Sequence, residues 1–354
     1  MDLPIPLPIV PMLAKAVTSV PSPDSVPGGM AYEPKWDGFR CLVLRDGDEI
    51  ELASRGTKPL TRYFPEVVET VRTMLPARCA VDGELVVRAG HPGDQRLSWE
   101  AISARIHPAA SRIERLARET PAEFVAFDLL ADGDDSLLDV AFQERRRRLE
   151  ALAAGWPMAG GLHLTRLTRD PEVATAWFER FEGAGLDGVV AKPLGAPYQP
   201  GKRVMLKVKH KRTAEAVVVG YRVHSSGAGV GSLLLGLYDR DGVLRNVGGI
   251  GAFSASRRRE LVDDLDSLVV RDVGGQVAYA ATDRSRFSSS TDVRFVPLHP
   301  ERVVEVAFDQ LEGVRFRHAV TFLRWRADRD PRSCTLDQIE RAPAYDLSEV
   351  LAEH

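Results

Sequence analysis

The apolar-rich run Phe39–Leu44 and the run Glu49–Ser54, in which polar and apolar residues largely alternate, read as strands. Asp46 and Gly47 lie between them as a turn pair, so a two-stranded hairpin is predicted. Phe64–Met74 carries apolar residues at helical spacing, with Pro65 early in the run, and predicts a helix. Cys79–Arg88 reads as a strand containing Asp82-Gly83-Glu84, and Phe124–Leu130 as an apolar strand. Phe142–Leu152 is a strongly charged helix whose Arg145–Arg148 run reads as a solvated face. Glu172–Ala184 reads as an amphipathic helix, with short strands at Gly188–Lys192 and Met205–Lys209 around a Pro/Gly segment. Beyond residue 211 the pattern changes. Strands are predicted at Glu215–Val223, Ser232–Asp239 and Val243–Ile250, a helix at Ala255–Leu268, and strands at Val303–Asp309 and Ala319–Arg324. A Ser/Thr/Asp/Arg-rich loop spans Ala280–Asp292. Five strands and one helix in about 140 residues predict a small β-barrel.

The length of 354 residues suits two domains, and 44% hydrophobic with 27% charged residues excludes disordered and collagen-like chains. Cys41, Cys79 and Cys334 are too few and too scattered for a disulfide scaffold or a C-x-x-C zinc site. They read as buried apolar thiols in a reducing compartment. Prolines 4, 6, 8 and 11 interrupt the apolar opening, unlike a signal peptide, and no apolar run reaches the roughly 20 residues that span a bilayer. A cytoplasmic protein is expected. Net charge is -3, which taken globally argues against a nucleic-acid partner. Its distribution does not: residues 1–200 carry -6 and the remainder +3, with Lys202–Arg212 and the Arg315–Arg332 series on the positive side.

The densest chemical signal is Glu33-Pro34-Lys35-Trp36-Asp37-Gly38-Phe39-Arg40. Ser54-Arg55-Gly56, Asp82-Gly83-Glu84-Leu85, Phe124 to Leu129, Asp187 to Lys192, and Leu206-Lys207-Val208-Lys209 follow, each on or beside a predicted strand. Phe322 to Arg329 closes the series, with Arg324, Arg326, Asp328 and Arg329. This ordered set resembles the six-motif signature of covalent nucleotidyltransferases: ATP-dependent DNA ligases, RNA ligases and capping enzymes. Pro11-Met12-Leu13-Ala14, the Lys202–Arg212 segment leading into Ala216 to Tyr221, and Gly231 to Tyr238 resemble the ATP-dependent DNA ligases, most of all the short actinobacterial (mycobacterial ligase C) type.

The chemistry fits these residue types. A lysine amine attacks the α-phosphorus of a nucleoside triphosphate only when neutral, so its pKa must fall from about 10.4. A bound Mg²⁺ and the cations of Lys207 and Lys209 are expected to lower it.

The resemblance implies an α+β chain of two domains. An ATP-grasp-like adenylation (nucleotidyltransferase) domain covers 1–210 and an OB-fold β-barrel covers 211–354, with a hinge at 211–214. It implies an ATP-dependent DNA ligase that seals nicks through a lysyl-AMP intermediate in DNA repair. Lys35 is then the nucleophile. Glu33, Arg40, Arg55, Glu84, Phe127, Lys207, Lys209, Arg324 and Arg326 bind ATP or AMP, with Phe127 stacking on the base. Glu84 and Asp187 hold Mg²⁺ or Mn²⁺. Where many relatives have Glu, Asp187 is one methylene shorter, so a metal role requires closer backbone approach or a bridging water. Lys192 reads equally as a phosphate contact or a solvated charge. Arg284, Arg286, Lys202 and Arg203 are candidate DNA contacts. The expected partners are nicked double-stranded DNA and repair polymerases or nucleases, with no membrane, for a monomer that is nucleoid-associated when on DNA. An RNA ligase, a GTP-using capping-type enzyme and an inactive nucleic-acid-binding protein are the alternatives.

Overall fold

The computed structural model describes residues 1–157, 160–210, 212–281, 294–339 and 343–351. The chain forms two compact units, Met1–Lys209 with Arg341–His354, and His210–Glu340. The first is therefore discontinuous. The expected second domain, 211–354, ends earlier than anticipated, because the C-terminal tail buries Leu347 and Val350 in the first unit's apolar core.

The first unit begins with β1 (Leu13–Val17), β2 (Met30–Pro34), β3 (Phe39–Asp46), β4 (Glu49–Ser54), α1 (Pro65–Met74) and β5 (Arg78–Ala89). It continues with β6 (Arg96–Leu97), α2 (Trp99–Ala104), α3 (Ala110–Glu119), β7 (Ala122–Asp132), β8 (Asp135–Ser136) and α4 (Phe142–Ala153). Next come β9 (Leu162–Leu164), α5 (Pro171–Arg180), β10 (Val189–Pro193) and β11 (Arg203–Val208). Two sheets result. One has the order β1-β11-β10-β2; the other runs β4-β3-β5-β7-β8, with β6 on β5 and β9 on β7. One face of the larger sheet packs Leu42, Leu44, Ala80 and Leu130 against Met205 and the N-terminal Leu3, Ile5 and Met12. Its other face packs Val43, Val81 and Phe124 against Val67 and Val71 of α1, Ile102 of α2 and Leu149 of α4. Cys41 and Cys79 lie in that second core as the apolar thiols expected, and burial pushes the Cys79 thiol up to about 12.

Two features depart from the sequence reading. In the first unit β1, β2, β6, β8, β9 and the helices α2 and α3 are additional elements. The Arg145–Arg148 run is not a uniformly solvated face. Arg145 is fully buried, and its Nε and Nη2 donate to both oxygens of buried Asp128 at 2.7 and 2.9 Å. Arg146 is also buried, whereas Arg147 points outward to Glu144. The cause is helical period: Phe142, Leu149 and Ala153 form the inward stripe, and 145 and 146 fall within it.

The second unit holds β12 (Arg212–Val223), β13 (Val230–Tyr238), β14 (Leu244–Ile250), α6 (Ala255–Leu265), β15 (Ala280–Ala281), β16 (Arg294–Pro297) and β17 (Val303–Phe308). Two short strands, β18 (Leu311–Glu312) and β19 (Arg315–Phe316), precede β20 (Thr321–Trp325). β12 pairs with β13, β13 with β14, β12 also with β17, and β17 with β20. The Ile250–Val320 bridge joins the ends of that path, closing a five-stranded barrel with α6 after its third strand. This is an OB-fold, as expected. Among the described residues, no helix is long and apolar enough to cross a membrane.

Removing one partner of a buried ion pair leaves the other charge uncompensated. Arg145→Ala should therefore destabilise the first unit by about 3–5 kcal/mol, while Arg147→Ala should stay within about 0.5 kcal/mol of wild type. Urea unfolding of the two variants checks this.

Candidate active site

Lys35 lies between β2 of one sheet and β3 of the other. Two backbone bonds fasten its loop to the segment before β10: Lys35 N–H donates to the Gly188 carbonyl at 2.8 Å, and Asp187 N–H to the Lys35 carbonyl at 2.9 Å. A Cβ at Gly188 would lie 2.0 Å from the Val208 carbonyl, and its φ of +121° also favours glycine. Gly188 thus lets the Asp187 backbone pack closely against the Lys35 loop. Asp187 Oδ2 is 2.7 Å from Lys35 Nζ and 2.7 Å from Lys209 Nζ.

In the free protein the electrostatics at Lys35 raise its pKa. Burial pulls its pKa down, but Asp187, with Glu84 and Asp37, outweighs burial and holds it above the ordinary value. The free protein therefore keeps Lys35 as an ammonium. Lys207 is the lysine whose pKa falls, through desolvation and the charges of Lys209, Lys35 and Arg55.

Arg40 sits on β3 directly opposite Glu84 on β5. Its Nε and Nη2 donate to the two oxygens of fully buried Asp82, both at 2.6 Å. The Tyr198 hydroxyl donates to the same Asp82 at 2.6 Å and accepts from Met12 N–H at 2.9 Å. Arg40 also lies 4.5 Å from the centroid of the Phe127 ring. Phe127 occupies a bulge, since Asp82 pairs with Asp128 and Gly83 with Ala126. The extra residue turns its ring toward Arg40.

Glu33, on β2, is buried beside Lys192 at 2.7 Å and Arg146 at 3.7 Å. Lys192 also donates to the Phe127 carbonyl at 2.9 Å. It is therefore neither a solvated charge nor an exposed phosphate contact, but Glu33's counter-ion. Glu33 Oε1 and Arg146 Nη1 have no hydrogen-bond partner. They face each other at 3.7 Å as a buried ion pair that is too long to be a hydrogen bond.

One unit thus brings together Lys35, Glu33, Arg40, Glu84, Phe127, Asp187, Lys207 and Lys209. Arg55 is exposed in the turn after β4, and Lys202 and Arg203 are exposed at the start of β11. Arg324 and Arg326 belong to the second unit. There Arg324 pairs with Glu305 at 2.6 Å, and Arg326 pairs with Glu215 and forks onto Asp328 at 2.9 and 2.8 Å. Arg284 and Arg286 lie outside the described residues. The sequence reading missed Asp82, Tyr198 and Arg146. Only Asp82 carried a signal, as the first residue of its motif.

Among the described residues, no group of three His, Cys, Asp or Glu could hold a metal alone. Mg²⁺ that also takes substrate phosphates needs only one or two carboxylates, and Glu84 and Asp187, both acting on the Lys35 charge, are such a pair. Burial pushes Glu84 up to about 7, with Arg40 and Lys35 pulling it back, which marks a carboxylate short of positive charge. The pair fits a hard divalent cation.

A nucleotidyltransferase unit joined to an OB-fold barrel is the class this fold defines. The family described as ATP dependent DNA ligase domain matches residues 11–209, and the ATP dependent DNA ligase C terminal region matches 226–329. DNA ligase C1 of Mycolicibacterium smegmatis is 52% identical over 100% of both chains. DNA ligase C of Mycobacterium tuberculosis is 50% identical over 99% of both. A solved Lig E DNA ligase shares the fold at 19% identity, with a TM-score of 0.55 over 90% of this chain and 100% of that one. The chain belongs to the ATP-dependent DNA ligase family, and its activity is that of an ATP-dependent DNA ligase rather than of a capping enzyme or an inactive binder.

Glu84 supplies a pH test. Its folded value of about 7 lies above the unfolded 4.5, so stability falls as pH rises through that window. Glu84→Gln should be more stable than wild type at pH 8 by up to about 3 kcal/mol, and nearly equal to it at pH 4. Thermal unfolding at the two pH values measures the difference.

Proposed function

We propose that Lys35 is the nucleophile and that the cluster around it performs three phosphoryl transfers. The carrying observation is the convergence on one amine of two carboxylates, Asp187 and Glu84, and two further ammonium groups, Lys207 and Lys209. First, neutral Lys35 Nζ attacks the α-phosphorus of ATP; an N–P bond forms, the bond to pyrophosphate oxygen breaks, and pyrophosphate leaves. Second, an oxygen of a DNA 5′-phosphate attacks that phosphorus and the N–P bond breaks. Third, the 3′-hydroxyl attacks the activated 5′-phosphorus and AMP leaves, sealing the nick.

The residues divide this work by charge. Lys207 and Lys209 offer donors to α-phosphate oxygens, and the depressed pKa of Lys207 reflects its desolvation and then the positive charges of Lys209, Lys35 and Arg55. The open Glu33 oxygen can accept the amino N–H of adenine, while a guanine carbonyl would meet it acceptor to acceptor. This supports adenine over guanine. Phe127 provides an aromatic surface for the base or for Arg40, and Arg40 and Arg55 face ribose or phosphate. Arg324 and Arg326 contact the β,γ-phosphates during the first step, which requires exchange of their present carboxylate partners. Mg²⁺ or Mn²⁺, held by Glu84 and Asp187, would supply positive charge at the phosphate oxygens.

The substrate is nicked double-stranded DNA, with Lys202, Arg203, Arg284 and Arg286 among its contacts. The enzyme acts as a monomer in bacterial cytoplasm at the nucleoid, beside repair polymerases or nucleases.

Incubation with α-labelled ATP tests this reading. Wild type should acquire a covalent label that Lys35→Ala loses by at least about 10³-fold, and α-labelled GTP should give none. Label on Lys35→Ala, or equal label from GTP, would refute it. Lys209→Ala should slow adenylation by about 10–100-fold.

A further inference from the structure

The C-terminal tail leaves the second unit and returns to the first as α7 (Leu347–Leu351) and the residues before it. Its docking is specific. Leu347 N–H donates to the Gln95 carbonyl at 2.8 Å, and Arg166 donates to the carbonyls of Val350, at 2.6 Å, and Glu349. Tyr345 packs its ring 5.3 Å from Phe181 and lies under the Arg180 guanidinium at 5.2 Å. Gly183 is the seat of the tail: a Cβ there would stand 2.0 Å from the Pro343 carbonyl and 2.8 Å from Tyr345 N. No positive φ constrains Gly183, so its small size serves this contact.

Two paths lead from the tail to the nucleophile's neighbour. Leu347, Val350 and Leu351 share one apolar cluster with Trp36, Val86, Leu97, Phe181 and Leu186. Trp36 is nearly fully buried, and its indole N–H donates to Thr165 Oγ1 at 2.8 Å, one residue from the Arg166 that grips the tail. Lys35 is bonded directly to Trp36, so a shift of that ring carries the amine with it.

We propose that residues 343–351 are a strap that positions Trp36, and through it Lys35, for the first chemical step. This rests on Lys35 being the nucleophile. Trp36 and the strap are positioning elements that touch no substrate. Since a transfer to a lysine amine depends steeply on placement, loosening the strap slows adenylation. Sealing a nick that already carries AMP does not use the Lys35 amine and is spared.

Gly183→Ala and Arg166→Ala, compared with wild type, separate this role from bulk stability. Covalent labelling by ATP reports the first step, and sealing of a pre-adenylated nick reports the last. Both variants should lose about tenfold or more in labelling and keep the sealing rate within about twofold, while Leu347→Met, which retains the apolar contact, keeps both. Labelling that holds in the variants, or labelling and sealing that fall together, would overturn the strap. Failure of wild type itself to label would instead refute the nucleophile assignment.

Discussion

Everything at this site depends on one buried carboxylate shared by two ammonium groups. Asp187 Oδ2 is held by Lys35 and Lys209, both at 2.7 Å, in a place nearly closed to water. A charge so buried persists only with partners. Lys35 and Lys209 lower the carboxyl's pKa against the burial that would raise it, and Asp187 in return raises that of Lys35. In the free protein that raised value keeps the Lys35 amine protonated. Anything that draws Asp187 toward another cation takes the counter-charge from Lys35 and leaves burial, with Lys207 and Lys209, to push the amine toward neutrality.

The fold exists around that pair. Lys35 stands where one sheet hands the chain to the other, and Gly188 lets the two loops hydrogen-bond back to back. Around it, buried charges are satisfied almost in full: Arg40 by Asp82, Arg145 by Asp128, Lys192 by Glu33. Glu33 Oε1 and Arg146 Nη1 are among the buried atoms that lack a hydrogen-bond partner. Unmet hydrogen-bonding capacity in a buried place is costly for folding. Glu84, raised to about 7, is a second such cost placed beside Lys35.

Much of this was legible. Apolar runs on either side of the Asp46–Gly47 turn located the hairpin of β3 and β4, and the barrel strands emerged within a few residues because one face of each is buried. The ordered motifs located the lysine and both carboxylates. β2 was missed because all five of its residues are buried, which erases alternation. α3 was missed because it buries only Ile113. Arg145 was misread because charge suggested solvent, although its spacing from Phe142 and Leu149 already placed it inward. The tail's return is a long-range docking with no local pattern. The upward shift of Lys35 in the free protein was not legible, because it turns on a backbone approach of Asp187 that composition cannot convey.

The central claim is that Asp187 holds Lys35 charged. The most direct measurement is the pH dependence of Lys35 modification by an amine-selective reagent, followed by mass spectrometry in wild type and Asp187→Asn. In nucleotide-free wild type the amine should titrate above the ordinary lysine value of about 10.4. In Asp187→Asn it should titrate below that value. An unchanged midpoint in the variant would contradict the account.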